Sequence, residues 1–360
     1  MQYEEHEDTQ ADLIARLIGL AGGTQNADLL KDMMRNTIDL IGDGATRGDL
    51  KILNSAFKEL RYAFRVFSPY RHVRKVTIFG SARMTDEHRA YRQAVRFARR
   101  ISEEGFMVIT GAGPGIMQAG HEGAGREMSF GVNIRLPFEQ TANPVILDDP
   151  KLINFKYFFT RKLIFMKETH AIVLFPGGFG THDEGFEALT LMQTGKGTLM
   201  PLVYLDPKGD LYWDEWEDYV ERQLIKRGMV SPDDRHLFTI TDDIERAVRE
   251  IKSFYSVYHS LRYVRDILVL RLQRSLPRSK VEALNEEFKD ILVSGKIEQR
   301  DAFPEEANQH EIAHLPRLAM KFDRHQFGKL RALVDRVNGW DRDLGIRVPD
   351  LPEKENEDDS

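Results

Sequence analysis

Ala171-Ile172-Val173-Leu174-Phe175 is an uninterrupted apolar run, and it leads directly into Pro176-Gly177-Gly178-Phe179-Gly180-Thr181-His182-Asp183-Glu184. A short apolar run bounded by Pro and Gly reads as a strand buried on both faces. Glycine tolerates positive φ and lets a ligand approach the backbone closely, so Gly177, Gly178 and Gly180 permit a tight turn from strand to helix. The exposed amides and the dipole at the start of such a helix favour an anion. Thr181 adds a hydroxyl in the first turn. Glu184 follows one turn further in, and Glu187 comes three residues later on a similar face. A carboxylate beside a bound phosphate suits sugar hydroxyls or a developing cation rather than the phosphate itself.

The same alternation extends in both directions. Val76-Thr77-Ile78-Phe79 is a strand ending in Gly80-Ser81, with a helix from about Glu87 to Glu104. Residues 106–110 form a strand ending in Gly111-Ala112-Gly113-Pro114-Gly115, and a helix starts near Ile116. Residues 132–134 are a third strand, followed by a long loop and a helix around Leu152 to Glu168. Residues 199–205 are another strand, and Trp213 to Arg227 another helix. Strands alternating with helices predict a parallel sheet covered on both faces, whose ligands bind at the carboxyl ends of the strands.

The fold class expected is therefore α/β, a Rossmann-like doubly wound parallel sheet over residues 71–255. A helical N-terminal extension (1–70) precedes it, with Leu13, Leu17 and Leu20 and then Leu53, Phe57, Leu60 and Phe64 at helical spacing, ending at Ser68-Pro69. An α or α+β extension (256–348) follows, with helices near Tyr258–Leu276 and Arg324–Val337 and a short strand at 318–322. Residues 349–360 read as an acidic, disordered tail.

Composition narrows the chemistry. The chain has 360 residues, a hydrophobic fraction of 41%, a charged fraction of 30% and a formal net charge of −6. That charge argues against broad nucleic-acid binding but not against a local phosphate site. No apolar run reaches the length of about 18 residues that a membrane span needs. The acidic start MQYEEHEDTQ lacks the basic and apolar regions of a secretion signal, so a cytoplasmic location is expected. The absence of cysteine rules out disulfides, thiolate metal sites and a cysteine nucleophile, and fits a reducing compartment.

Competing motifs are weaker. The 111–115 turn lacks the GxGxxG spacing, and Arg135 stands where a dinucleotide fold would place an acid. No P-loop is present, since Gly195-Lys196-Gly197 fails at its last position. His310-Glu311-Ile312-Ala313-His314 matches HExxH, but Pro316 limits the helix and no third ligand is evident. No metal or other cofactor is expected.

The 176–184 stretch resembles the PGGxGTxxE signature of the LOG family, phosphoribohydrolases that cleave nucleoside 5′-monophosphates, including cytokinin riboside monophosphates, to free base and ribose 5-phosphate. The family has long carried the label lysine decarboxylase. Its second signature, an Arg-Lys pair on the preceding helix, is matched by Arg161-Lys162, and its early Gly-Ser turn by Gly80-Ser81; the resemblance covers roughly residues 73–255. It implies that Arg161 and Glu184 are the catalytic pair. It also implies that Gly177, Gly178, Phe179, Gly180 and Thr181 hold the phosphate. Gly80, Ser81, Gly111, Gly113, Gly115, Glu139, Lys162, Glu187 and Thr190 would contribute nucleotide contacts. The partners implied are a nucleoside monophosphate and further copies of the chain, in a homodimer or larger homo-oligomer, with no nucleic acid and no membrane. The sequence departs from plant members at His182-Asp183, where they often have Leu-Glu, and in its long extensions. Three other readings stand beside this one: a molybdenum-cofactor carrier of the same superfamily, a pyridoxal-phosphate decarboxylase needing a Schiff-base lysine, and a zinc peptidase.

Overall fold

The computed structural model describes residues 9–135, 142–306 and 309–339. The expected contact at Glu139 and the acidic tail lie outside these residues. The chain divides into two compact units, Met1–Lys58 and Glu59–Ser360. The first unit holds helices α1 (Gln10–Leu20) and α2 (Ala27–Asp39) and the first half of α3 (Arg47–Phe67). Thr9 caps α1 in a reciprocal box with Asp12, which satisfies two amides the helix cannot.

The second unit is built on a seven-stranded sheet. Its strands are β1 (Lys75–Phe79), β2 (Met107–Thr110), β3 (Ser129–Ile134), β4 (Leu152–Phe155), β5 (Ala171–Leu174), β6 (Leu202–Leu205) and β7 (Thr239–Thr241). They lie in the order β4-β3-β2-β1-β5-β6-β7, and every pairing is parallel. The helices between them are α4 (Arg89–Glu103), α5 (Ile116–Ala124), α6 (Phe158–Glu168), α7 (Phe179–Gln193) and α8 (Tyr212–Tyr219), and α9 (Ile244–Phe254) follows β7.

Period-two alternation sorts the strand side chains into two cores. Ile172 and Leu174 pack with Ile164 and Phe165 of α6 and Ala188 and Met192 of α7. Ala171 and Val173 pack with Phe97 and Ile101 of α4, Ile116 of α5 and Val248 of α9. The α/β sheet expected from the sequence is therefore the fold. From β1 the chain builds outward to β4 and then returns to place β5 on the other side of β1. The strand order reverses between β1 and β5, and a parallel sheet opens a crevice at the carboxyl ends of such a pair.

Several segments differ from expectation. Residues 152–168 are not one helix. Leu152–Phe155 pair with β3 as an edge strand, and the helix starts at Phe158. The helix expected over Trp213–Arg227 is α8 followed by a π-helical turn at Val220–Ile225. The helix expected over Tyr258–Leu276 is a hairpin of β8 (Tyr258–Val264) and β9 (Ile267–Leu272), turning at Arg265 with φ 57°. Its second strand is an almost continuously buried apolar run, which helical and strand periodicities match equally well. With β10 (Leu292–Arg300) and β11 (Arg317–Phe322) it forms an antiparallel sheet, β10-β11-β9-β8. Helices α10 (Arg278–Glu287) and α11 (Phe327–Gly339) accompany it.

His310–His314 form turns rather than a helix, which removes the i, i+4 geometry that HExxH requires. No cluster of three or more metal-ligating side chains occurs among the described residues. Nearby, Glu306 is fully buried and receives Arg271 at 2.8 Å and Arg317 at 3.3 Å. Burial pushes its pKa up, but the Phe303 amide and the two guanidiniums outweigh that and hold it below the usual range. Removing one member leaves buried charge uncompensated. Glu306→Ala should therefore destabilise the protein by about 3–5 kcal/mol in a urea melt; a loss below about 1 kcal/mol would show that the hub is dispensable.

Candidate phosphate and sugar site at the strand-order reversal

The ends of β1 and β5 are joined directly. The Ser81 amide donates to the Pro176 carbonyl at 3.1 Å, and the Ile116 amide donates to the Ser81 carbonyl at 3.0 Å. Three turns, 80–81, 111–115 and 176–181, thus meet at one edge of the sheet.

The glycines of these turns do different work. A Cβ on Gly177 would lie 2.1 Å from Thr181 Oγ1 and 2.9 Å from the Ser81 amide nitrogen. One on Gly115, where φ is +67°, would lie 2.3 Å from the Ser81 carbonyl oxygen. One on Gly80 would meet Ile116, and one on Gly111 or Gly113 would meet Met117. Gly177, Gly115 and Gly80 are required by packing, whereas at Gly111 and Gly113 the obstacle is the end of a flexible side chain. Gly178 and Gly180 differ: a Cβ there meets nothing within 4 Å, and neither has positive φ. They leave the start of α7 open. Thr181 and His182 return their amides to the Gly178 carbonyl at 3.0 and 3.2 Å, and no side chain caps the helix. Helix geometry gives the Phe179 and Gly180 amides no intrahelical acceptor. The Phe179 ring stands almost entirely in solvent.

Under the 111–115 turn lies a buried network that nothing in the local sequence signals. Asn143 donates to the carbonyls of Ala112 and Gly113 at 3.0 and 3.1 Å and contacts His121 Nδ1. His121 Nε2 meets Thr110 Oγ1 and the Phe130 carbonyl, both at 3.0 Å. Burial lowers the His121 pKa, keeping the ring neutral. The network supports Ala112 at φ 63°, a conformation costly for a residue with a side chain.

Helix α6 brings Arg161 and Lys162 to this edge. Glu59 anchors its start, accepting from the Lys156 amide at 2.9 Å and from Thr160 Oγ1 at 2.6 Å. Arg161 Nε donates to the Val132 carbonyl at 3.1 Å, and the guanidinium lies 5.2 Å from the Phe165 ring centroid. A Cβ on Gly111 would lie 2.7 Å from Arg161 Nη2, so Gly111 also leaves room for that guanidinium. Lys162 holds α6 to α7 through Asp183 at 2.9 Å and Glu187 at 2.8 Å. Burial lowers its pKa, but the two carboxylates more than compensate and raise it. A Schiff-base lysine needs the opposite perturbation.

Glu184 faces Arg161 and Lys162 from the second turn of α7. It is buried, and its Oε2 has no hydrogen-bond partner among the described residues. Burial pushes its pKa up to about 7 despite opposing pull from Lys162 and Arg161, with Glu187 and Asp183 adding to the rise. Of the remaining residues expected at the site, Thr181 is buried in the first turn, and Glu187 is engaged by Lys162. Thr190 is about three turns along α7, exposed, with its hydroxyl donated to the Phe186 carbonyl at 2.7 Å. It is not brought to the turn.

These features define an α/β protein with an uncapped helix start at the strand-order reversal and a buried carboxylate behind it. Residues 114–251 match the family described as "Possible lysine decarboxylase". The pyrimidine/purine nucleotide 5′-monophosphate nucleosidase of Escherichia coli (strain K12) is 27% identical over 173 residues, 45% of this chain and 37% of that relative. The chain thus spans little more than a third of the curated relative's length. The molybdenum cofactor binding protein of Rippkaea orientalis aligns at 21% identity over 50% of this chain and 94% of its own, with a TM-score of 0.34. The molybdenum cofactor carrier protein of Chlamydomonas reinhardtii aligns at 16% over 50% and 96%, with a TM-score of 0.33. These matches support the resemblance to the LOG family over the central segment of the chain.

The two classes of glycine separate experimentally. Gly177→Ala should lower the melting temperature by several degrees, because a Cβ collides with Thr181 and Ser81. Gly180→Ala should melt like the wild type yet weaken ribose 5-phosphate binding, measured by calorimetry. Equal behaviour of the two variants in both assays would contradict the distinction.

Proposed function

We propose that the protein hydrolyses the N-glycosidic bond of a nucleoside 5′-monophosphate, AMP or a similar purine nucleotide, to free base and ribose 5-phosphate. The observation that carries this reading is Glu184. A buried carboxylate with an oxygen lacking a partner costs stability, and such groups cluster where chemistry needs them. It stands one turn behind an open helix start that suits a phosphate.

The 5′-phosphate binds at the Gly178–Thr181 turn, with Thr181 as a hydroxyl donor. Anchoring the phosphate fixes the ribose and converts the attack of water into an oriented step. As the C1′–N bond breaks, its electron pair leaves with the base and positive charge develops on the ribose ring. The ionised Glu184 stabilises that charge more than the neutral ground state. It can also orient the water that adds at C1′. Arg161, fixed against Val132 and Gly111, contacts ribose or phosphate oxygens. Self-association through α6, where Phe158, Phe159 and Leu163 remain about half exposed, belongs to the same proposal.

Incubation with AMP should release adenine and ribose 5-phosphate on a chromatogram, while adenosine reacts at least about a hundredfold more slowly for want of the anchor. Glu184→Gln should abolish release and retain ribose 5-phosphate binding. Because the ionised carboxylate is the active form, kcat/KM should rise with pH through about 7. Equal turnover of AMP and adenosine, or an active Glu184→Gln variant, would overturn the proposal.

A further inference from the structure

Tyr212, at the start of α8, donates its hydroxyl hydrogen to the Gly177 carbonyl. His182 Nε2 lies 2.8 Å from the same hydroxyl oxygen. A phenol has one hydrogen and a carbonyl only accepts, so the ring nitrogen must be the donor: His182 carries its proton on Nε2. The contact joins residues 35 positions apart, from the ends of two neighbouring strands. Tyr212 is itself placed from β6: the Asp206 carboxylate, just beyond that strand, accepts from the Trp213 amide at 3.2 Å. Its ring also packs edge-on to Trp213, with centroids 4.7 Å apart.

The consequence lies in the peptide plane. The carbonyl and amide of one trans peptide point in opposite directions. Holding the Gly177 carbonyl on Tyr212 therefore turns the Gly178 amide to the other side of the peptide, and Gly178 itself is uncrowded: a Cβ there would meet no protein atom within 4 Å. Glycine pairs are free to flip their peptides, and the turn has no side-chain cap to prevent it. We propose that Tyr212 and His182 are positioning residues that lock the Gly177–Gly178 peptide in its anion-accepting orientation. Tyr212 acts on the peptide, and His182 acts through Tyr212. The inference deepens the phosphate-cradle reading of the turn and rests on it.

The test is calorimetric binding of inorganic phosphate and of ribose 5-phosphate to the full chain, with melting temperatures as a folding control. Tyr212→Phe should weaken both ligands about tenfold, the scale of one lost hydrogen bond, with a wild-type fold. His182→Leu should weaken them about threefold. His182→Gln, which keeps an N–H donor, should restore wild-type affinity, a rescue that loss of packing alone would not show. The double variant Tyr212→Phe/His182→Leu should match Tyr212→Phe alone. If AMP turnover is detectable, these losses should appear in KM rather than kcat. Phosphate binding by Tyr212→Phe within about twofold of wild type, or fully additive losses in the double variant, would overturn the proposal. Wild type that binds phosphate but releases no base would defeat the hydrolase reading and leave the brace to be judged on these affinities. Wild type that binds neither ligand would defeat both.

Discussion

The parallel pairing of β1 with β5, carried one step beyond the strands by the Ser81 amide donating to the Pro176 carbonyl, sets the two strand ends side by side where the sheet reverses its order. The site depends on that joint. It draws the β1 and β5 ends so close that Gly177 and Gly115 have no room for a side chain. It also sets the start of α7 beside the Gly-Ser turn. The helix is then left with open amides at its start and a carboxylate one turn in. Both the open amides and the buried carboxylate come from a single stretch of nine residues, 176–184.

The electrostatics of that arrangement are tuned rather than merely charged. Lys162 is held by Asp183 and Glu187 and serves mainly to bind α6 to α7. Arg161 is fixed by a backbone carbonyl and an aromatic ring. Glu184 is buried near both cations, yet no hydrogen bond satisfies its Oε2 among the described residues. Burial dominates, and its pKa rises to about 7. Its protonated form is favoured in the folded state, and that advantage is lost as the pH rises through about 7. A group held near its own ionisation point in a dry site responds strongly to charge appearing beside it.

Much of this was legible in residue order. The run 171–175 alternates between two cores, and Pro176 and the glycines mark its end. Arg161 is different: on its own it reads as a surface cation on an apolar helix, and only the resemblance singles it out. Residues 152–155 and 258–272 read as helix because short apolar segments satisfy either period, and only pairing partners, β3 for the first and the hairpin for the second, decide between them. The His121–Asn143 network and the Tyr212 brace were invisible for another reason. Their partners lie 22 and 35 residues apart, and neither has a local pattern. His182 was visible only as a departure from the family's usual residue. Thr190 shares the helix with Glu184 but not its face, so its place in a motif did not carry it to the site.

Glu184 is buried, and its Oε2 is short of a hydrogen-bond partner among the described residues, beside the turn proposed to hold phosphate. The most direct measurement is a carboxyl-carbon NMR titration of Glu184, assigned through the Glu184→Gln variant. The midpoint should lie near 7, against an ordinary glutamate value of 4.5, and should move when ribose 5-phosphate binds. A midpoint at the ordinary value, indifferent to the ligand, would contradict this placement of Glu184.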